Sequence, residues 1–90
     1  MDIQAAFAKY GVAPPESPEE SLQVMSSSSH KDLKRAARIS MMALLFPYGQ
    51  NEDDALQKLH TFLLNHDVTF ELPLMRMSLF KHLHAMRVDV

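Results

Sequence analysis

Residues 30–49, HKDLKRAARISMMALLFPYG, decide the fold, because they are helical in pattern throughout and change character halfway. At about 100° per residue, Lys31, Lys34, Arg35 and Arg38 fall within an arc of roughly 100°, with Leu33, Ala36 and Ala37 on the other side. That half is amphipathic. From Ile39 onward the run Ile39-Ser40-Met41-Met42-Ala43-Leu44-Leu45-Phe46 is apolar nearly all round, so it must be enclosed by the rest of the chain or by another subunit. Pro47-Tyr48-Gly49 ends the helix, predicted over about 30–46, because helices usually stop before proline.

Outward from this segment, helix punctuation is dense. Asp2 can cap a short first helix through Ile3, Ala6, Phe7 and Tyr10, with Gly11 as its stop. After the stiff linker Val12-Ala13-Pro14-Pro15, Ser17-Pro18-Glu19-Glu20 combines a capping serine, a proline at the first helical position and a glutamate at the third. A second helix should run to about Met25, followed by four serines, residues 26–29, that can interrupt it and cap the next. Beyond Gly49, Asn51 caps a fourth helix whose first turn, Glu52-Asp53-Asp54, sits where the helix dipole favours carboxylates. Its apolar stripe is Ala55, Leu56, Leu59, Phe62 and Leu63, and Asn65 is the expected left-handed stop. Val68-Thr69-Phe70-Glu71-Leu72 alternates with period two and reads as an extended connector, or as a strand pairing across a dimer. Pro73 opens a last helix to about Met86 or Arg87, with Met75, Leu79, Leu83 and Met86 on one face. The expected architecture is all-α, a compact bundle of four to five short helices in one domain, 1–90, completed by homodimerisation. Residues 1–16 are its short first helix and linker, peripheral or swapped onto a second copy.

Composition narrows the function. Apolar residues make up 47% and charged residues 22%, amounts that suit a folded globular domain rather than a disordered segment. The absence of cysteine excludes disulfides and thiolate metal sites. The first fifteen residues carry one Lys and no apolar run of signal-peptide length, and the longest apolar stretch, residues 41–47, is far short of the ~20 residues a membrane span needs. The expectation is a cytoplasmic protein with no membrane partner. Charge alternates in blocks: Asp2, Glu16, Glu19 and Glu20 in the first, Lys31, Lys34, Arg35 and Arg38 in the second, Glu52, Asp53, Asp54, Asp67 and Glu71 in the third, and Arg76, Lys81 and Arg87 in the fourth. Segments of opposite sign should attract within one chain or between two.

Catalytic and cofactor signatures are missing. There is no glycine-rich phosphate loop, no nucleophile elbow and no pair of histidines four apart on a helix with a glutamate between. His82 and His84 lie about 160° apart on a helix and cannot share a metal from a regular helix, and a metal site would need His60 or His66 to meet one of them across the bundle with no cysteine to assist. The expectation is no enzyme, no cofactor and no metal. If His82 or His84 flanked an interface, protonation near pH ~6 would loosen it.

Two functional readings remain. Seven methionines in ninety residues suit adaptable apolar surfaces, and Met77 lies outside the core stripe of the last helix beside Phe80. The leading expectation is a non-enzymatic protein-interaction module, an adaptor, chaperone or phage-type inhibitor. Its partner or dimer interface would comprise Ile39, Met41, Met42, Leu45, Phe46, Met77 and Phe80. The alternative is a small nucleic-acid-binding transcriptional or nucleoid-associated regulator using a basic patch of Lys31, Lys34, Arg35, Arg38, Arg76, Lys81 and Arg87. Against it, the helix after the basic one opens on Glu52-Asp53-Asp54, where phosphate contacts need the opposite charge. The order Leu44 to Gly49, Asn51, Leu59-His60, Arg76 and Leu83 resembles the small helical biofilm and acid-stress regulators of enteric bacteria over about half of the chain. That resemblance implies a connector acting through protein or DNA contacts.

Overall fold

The computed structural model describes residues 2–48 and 50–88. Five α-helices follow in order, α1 (Ile3–Lys9), α2 (Pro18–Ser27), α3 (Lys31–Leu45), α4 (Glu52–Asn65) and α5 (Leu72–Val88), with a 3₁₀ turn at Thr69–Glu71. No strand occurs among the described residues. Gly49, part of the expected stop after α3, lies outside them. Two compact units divide the chain, Met1–Leu45 and Phe46–Val90.

In the first unit, α3 packs against α1 and α2. Phe7 and Ala6 of α1 meet Leu33 and Ala36 of α3 in a buried cluster, with Ile3, Tyr10, Val12 and Val24 around it. Each helix end is closed by a local device. The Asp2 carboxylate accepts from the Gln4 amide at 3.0 Å. Gly11 adopts φ 63°, which lets the Val12 amide reach the Phe7 carbonyl and its own amide reach that of Ala8, both bonds of a Schellman motif. Ser17 Oγ accepts from the Glu20 amide, and the Glu20 carboxylate accepts from the Glu16 amide, so the capping box closes one residue further out than usual. Helix α2 continues two residues past Met25 because Ser27 Oγ donates back to the Gln23 carbonyl; Ser28 Oγ then accepts from the His30 amide as α3 begins.

The apolar half of α3 corrects an expectation. Met41, Met42 and Leu45 are buried within the single chain, as is Phe46. Side chains so buried belong to the core rather than to an accessible surface. Ile39, 36% exposed, and Ala43 are the outward positions of this half.

In the second unit, α4 packs against α5, and the 3₁₀ turn packs against both. Asn51 Oδ1 accepts from the Asp53 and Asp54 amides, at 2.8 and 3.3 Å. Ala55, Leu59 and Leu63 of α4 and Met75, Leu79 and Leu83 of α5 are buried. Helix α4 ends in a second Schellman motif, with Val68 bonded to the Leu63 carbonyl and Asp67 to that of Leu64. The left-handed residue is Asp67, at φ 56°, rather than the expected Asn65. Residues 68–72 are neither an extended connector nor a strand. With no strand among the described residues to pair with, their backbone groups bond locally, Glu71 N–H to the Val68 carbonyl at 3.1 Å and Leu72 N–H to that of Thr69.

Two substitutions test this account. Asp67→Gly should raise the melting temperature by the equivalent of up to ~1 kcal/mol, because glycine takes a left-handed conformation without Cβ strain. Met42→Glu places a carboxylate at a site only 1% exposed and should cost at least ~3 kcal/mol, read as loss of helical circular dichroism near ambient temperature.

Candidate interaction surface

Helix α5 carries apolar side chains on two sides. Met75, Leu79 and Leu83 face the core, while Leu74, Met77 and Phe80, spaced by three, are exposed by 49%, 57% and 39%. At about 100° per residue, the exposed three occupy an arc of about 120° centred roughly 160° from the buried three. The cations Arg76 and Lys81 and the imidazole of His84 are exposed too, and the helix turn places them beside or between Leu74, Met77 and Phe80. Neither Arg76 nor Lys81 has an ion-pair partner among the described residues. From Leu72 to Val88 the helix contains no carboxylate. The result is a contiguous apolar and basic face that α5's own unit leaves in water.

The other residues expected to act are dispersed. Ile39 is exposed on α3, whereas Met41, Met42, Leu45 and Phe46 are buried. Phe46 is held in the second unit: its carbonyl accepts from His82 Nε2 at 2.8 Å, which assigns the proton to that nitrogen, and Lys58 Nζ lies 5.4 Å from its ring centre. The seven basic residues belong to different units, Lys31, Lys34, Arg35 and Arg38 to the first and Arg76, Lys81 and Arg87 to the second. On α3, Lys31 and Arg35 are exposed and Lys34 and Arg38 half-buried. The Arg87 side chain lies outside the described part.

No family model matches the chain, and no curated protein or solved structure resembles it. The functional reading therefore stands on this chain's own chemistry.

A polar cluster that local patterns do not reveal joins α1 to α3. Tyr10 donates its hydroxyl to Asp32, 2.8 Å from Oδ1 and 3.0 Å from Oδ2, and stacks on the His30 ring with centroids 4.1 Å apart. Lys9 Nζ lies 3.7 Å from Asp32 Oδ2 and 5.2 Å from the Tyr10 ring centre. Residues so far apart in sequence give no periodic signal. A groove of about 280 Å³ opens beside the stack, bordered by Ser27, Ser28 and Ser29. There Ser27 Oγ donates to the Gln23 carbonyl and Ser28 Oγ accepts from the His30 amide. Of the remaining histidines, His66 caps α4 and lies against Phe62, while His60 and His84 are exposed. No three His, Asp or Glu side chains converge as a metal site among the described residues, and no helix of the described residues is long and apolar enough to cross a membrane.

The Tyr10 hydroxyl holds the Asp32 carboxyl below its ordinary range, helped by the Leu33 amide and Lys9 against the cost of burial. Tyr10 and Asp32 together hold the Lys9 ammonium above its ordinary range. A depressed carboxyl contributes stability that is present above its unfolded pKa and lost as pH falls through the folded value; a raised ammonium contributes below its unfolded pKa and loses it as pH rises through the folded one. Both contributions are intact between about pH 5 and 9. Asp32→Asn should therefore flatten the decline in melting temperature below about pH 4 and leave the slope near neutrality unchanged.

Proposed function

We propose that this chain is a non-enzymatic interaction module whose working surface is the exposed face of α5. The observation that carries the reading is the exposure of Leu74, Met77 and Phe80 on a helix whose opposite face is already buried. A helix apolar on both sides normally has both sides covered, and small domains seldom leave three large apolar side chains contiguous in water without a use for them. Met77 suits such a surface, because its flexible thioether adapts to the contour of a partner. Adaptors, chaperones and inhibitors of larger proteins all work in this way.

Nucleic-acid binding is the second reading. It draws on the exposed cations Lys31, Arg35, Arg76 and Lys81. Its weakness is the large apolar area between Arg76 and Lys81, which a phosphate backbone would desolvate without return. An acidic first turn on α4 weakens it further.

Affinity capture from native-host lysate, with and without nuclease, separates the two. Wild-type protein should retain a stoichiometric protein after nuclease, and Met77→Glu, folded as judged by circular dichroism, should lose it. Recovery of nucleic acid, with every protein lost on nuclease treatment, would transfer the function to the basic residues.

A further inference from the structure

We infer that the face of α5 docks an acidic amphipathic helix of a partner protein, whose apolar residues sit over Leu74, Met77 and Phe80 and whose carboxylates oppose Arg76 and Lys81. This inference rests on the interaction-module reading and adds the chemistry and shape of the partner.

Shape comes from spacing. Leu74, Met77 and Phe80 form one three-residue ridge of a helix, and such ridges seat in the grooves of a second helix. A peptide that binds by adding a strand would instead need an unpaired strand edge, and the described residues contain no strand. Charge comes from the composition of the face. Arg76 and Lys81 lack ion-pair partners among the described residues, and α5 has no carboxylate of its own. A partner helix bearing Asp or Glu beside its apolar residues satisfies both features, while one bearing Lys or Arg is repelled.

A second copy would leave Arg76 and Lys81 without carboxylates, and the shortness of the ridge disfavours a membrane. Pairing α5 antiparallel with itself, centred on Met77, sets Arg76 level with Ser78 and Lys81 level with Pro73 of the other chain; parallel pairing sets each cation against its own counterpart. Neither arrangement brings in a carboxylate. From Leu74 to Phe80 the ridge is only about 9 Å long, much shorter than the apolar face of a helix that lies in a lipid interface.

The test uses two substitutions at one exposed position. Met77→Glu and Met77→Lys remove the thioether equally and differ only in sign. A phage-displayed library of helical peptides, with one face randomised, is selected on the full chain, and enriched peptides are titrated against the wild type and both variants. The expected peptides carry apolar residues at helical spacing beside Asp or Glu. They should weaken by at least about tenfold with Met77→Glu, clearly less with Met77→Lys, and progressively as salt rises.

Peptides that need Met77 but are basic, neutral or extended would overturn the acidic-helix inference and leave the interaction reading standing. Selection that returns nothing dependent on Met77 would overturn the inference, and with it the reading if lysate capture is also unchanged by Met77→Glu. A dimer in sedimentation equilibrium that Met77→Glu dissociates would give the face to a second copy, and Met77-dependent pelleting with phosphatidylserine vesicles would give it to a membrane. Either result overturns the inference.

Discussion

Helix α5 has apolar side chains on two opposed faces, and packing with α4 in its own unit uses one of them. That constraint leaves an apolar face of the helix exposed. A helix of 17 residues packed within a unit of this size buries Met75, Leu79 and Leu83 and leaves Leu74, Met77 and Phe80 in water. Exposed apolar residues scattered singly are ordinary; three at regular spacing, edged by cations without ion-pair partners among the described residues, form a surface with a chemical character. The rest of the second unit packs around α5. Phe46 is fixed by His82 and Lys58, and the turn at Thr69–Glu71 packs against α4 and α5 where the chain enters the helix.

The first unit is organised by a different interaction. Helix α1 has only 7 residues, too few to be stable alone, so its position depends on tertiary contacts. Phe7 provides the apolar anchor, and the Tyr10 hydroxyl bonded to both oxygens of Asp32 provides the directional one. Gly11 is what permits the geometry. Its left-handed conformation turns the chain at the end of α1, so that Val12 packs on the same cluster as Phe7. Both units thus close a helix with the same pair of hydrogen bonds, one using glycine and the other aspartate at the strained position.

Much of the architecture was legible in the sequence because its signals are local. Asp2, Ser17 and Asn51 cap the helices expected of them, Gly11 stops α1, and the core stripes of α4 and α5 follow the 3.6-residue period. The misreadings have physical causes. Period-two alternation over five residues is too short to impose a strand, and the local hydrogen bonds of the turn win where no strand among the described residues offers a partner. Asp67 outcompeted Asn65 because the left-handed position is set by where the last helical hydrogen bond falls, which tertiary packing adjusts by a residue or two. The apolar run of residues 39–46 announced that it needed enclosure without saying by what; the chain buries Met41, Met42, Leu45 and Phe46 itself. Conversely, Met77 and Phe80 stood out as lying off the core stripe, and their exposure is a direct consequence of that register. Tyr10, His30 and Asp32 left no mark in the pattern, because their association depends on how α1 meets α3.

Methionine footprinting with dilute hydrogen peroxide tests the central claim most directly, since oxidation reports exposure of each thioether in place. In purified protein, Met77 should oxidise rapidly while Met41, Met42 and Met75 resist; in native-host lysate, Met77 alone should become protected. Protection of Met77 in the purified protein would show that the chain covers this face by itself or with a second copy. Equal oxidation in both settings would show that nothing covers it, and the α5 face would lose its claim to be the working surface.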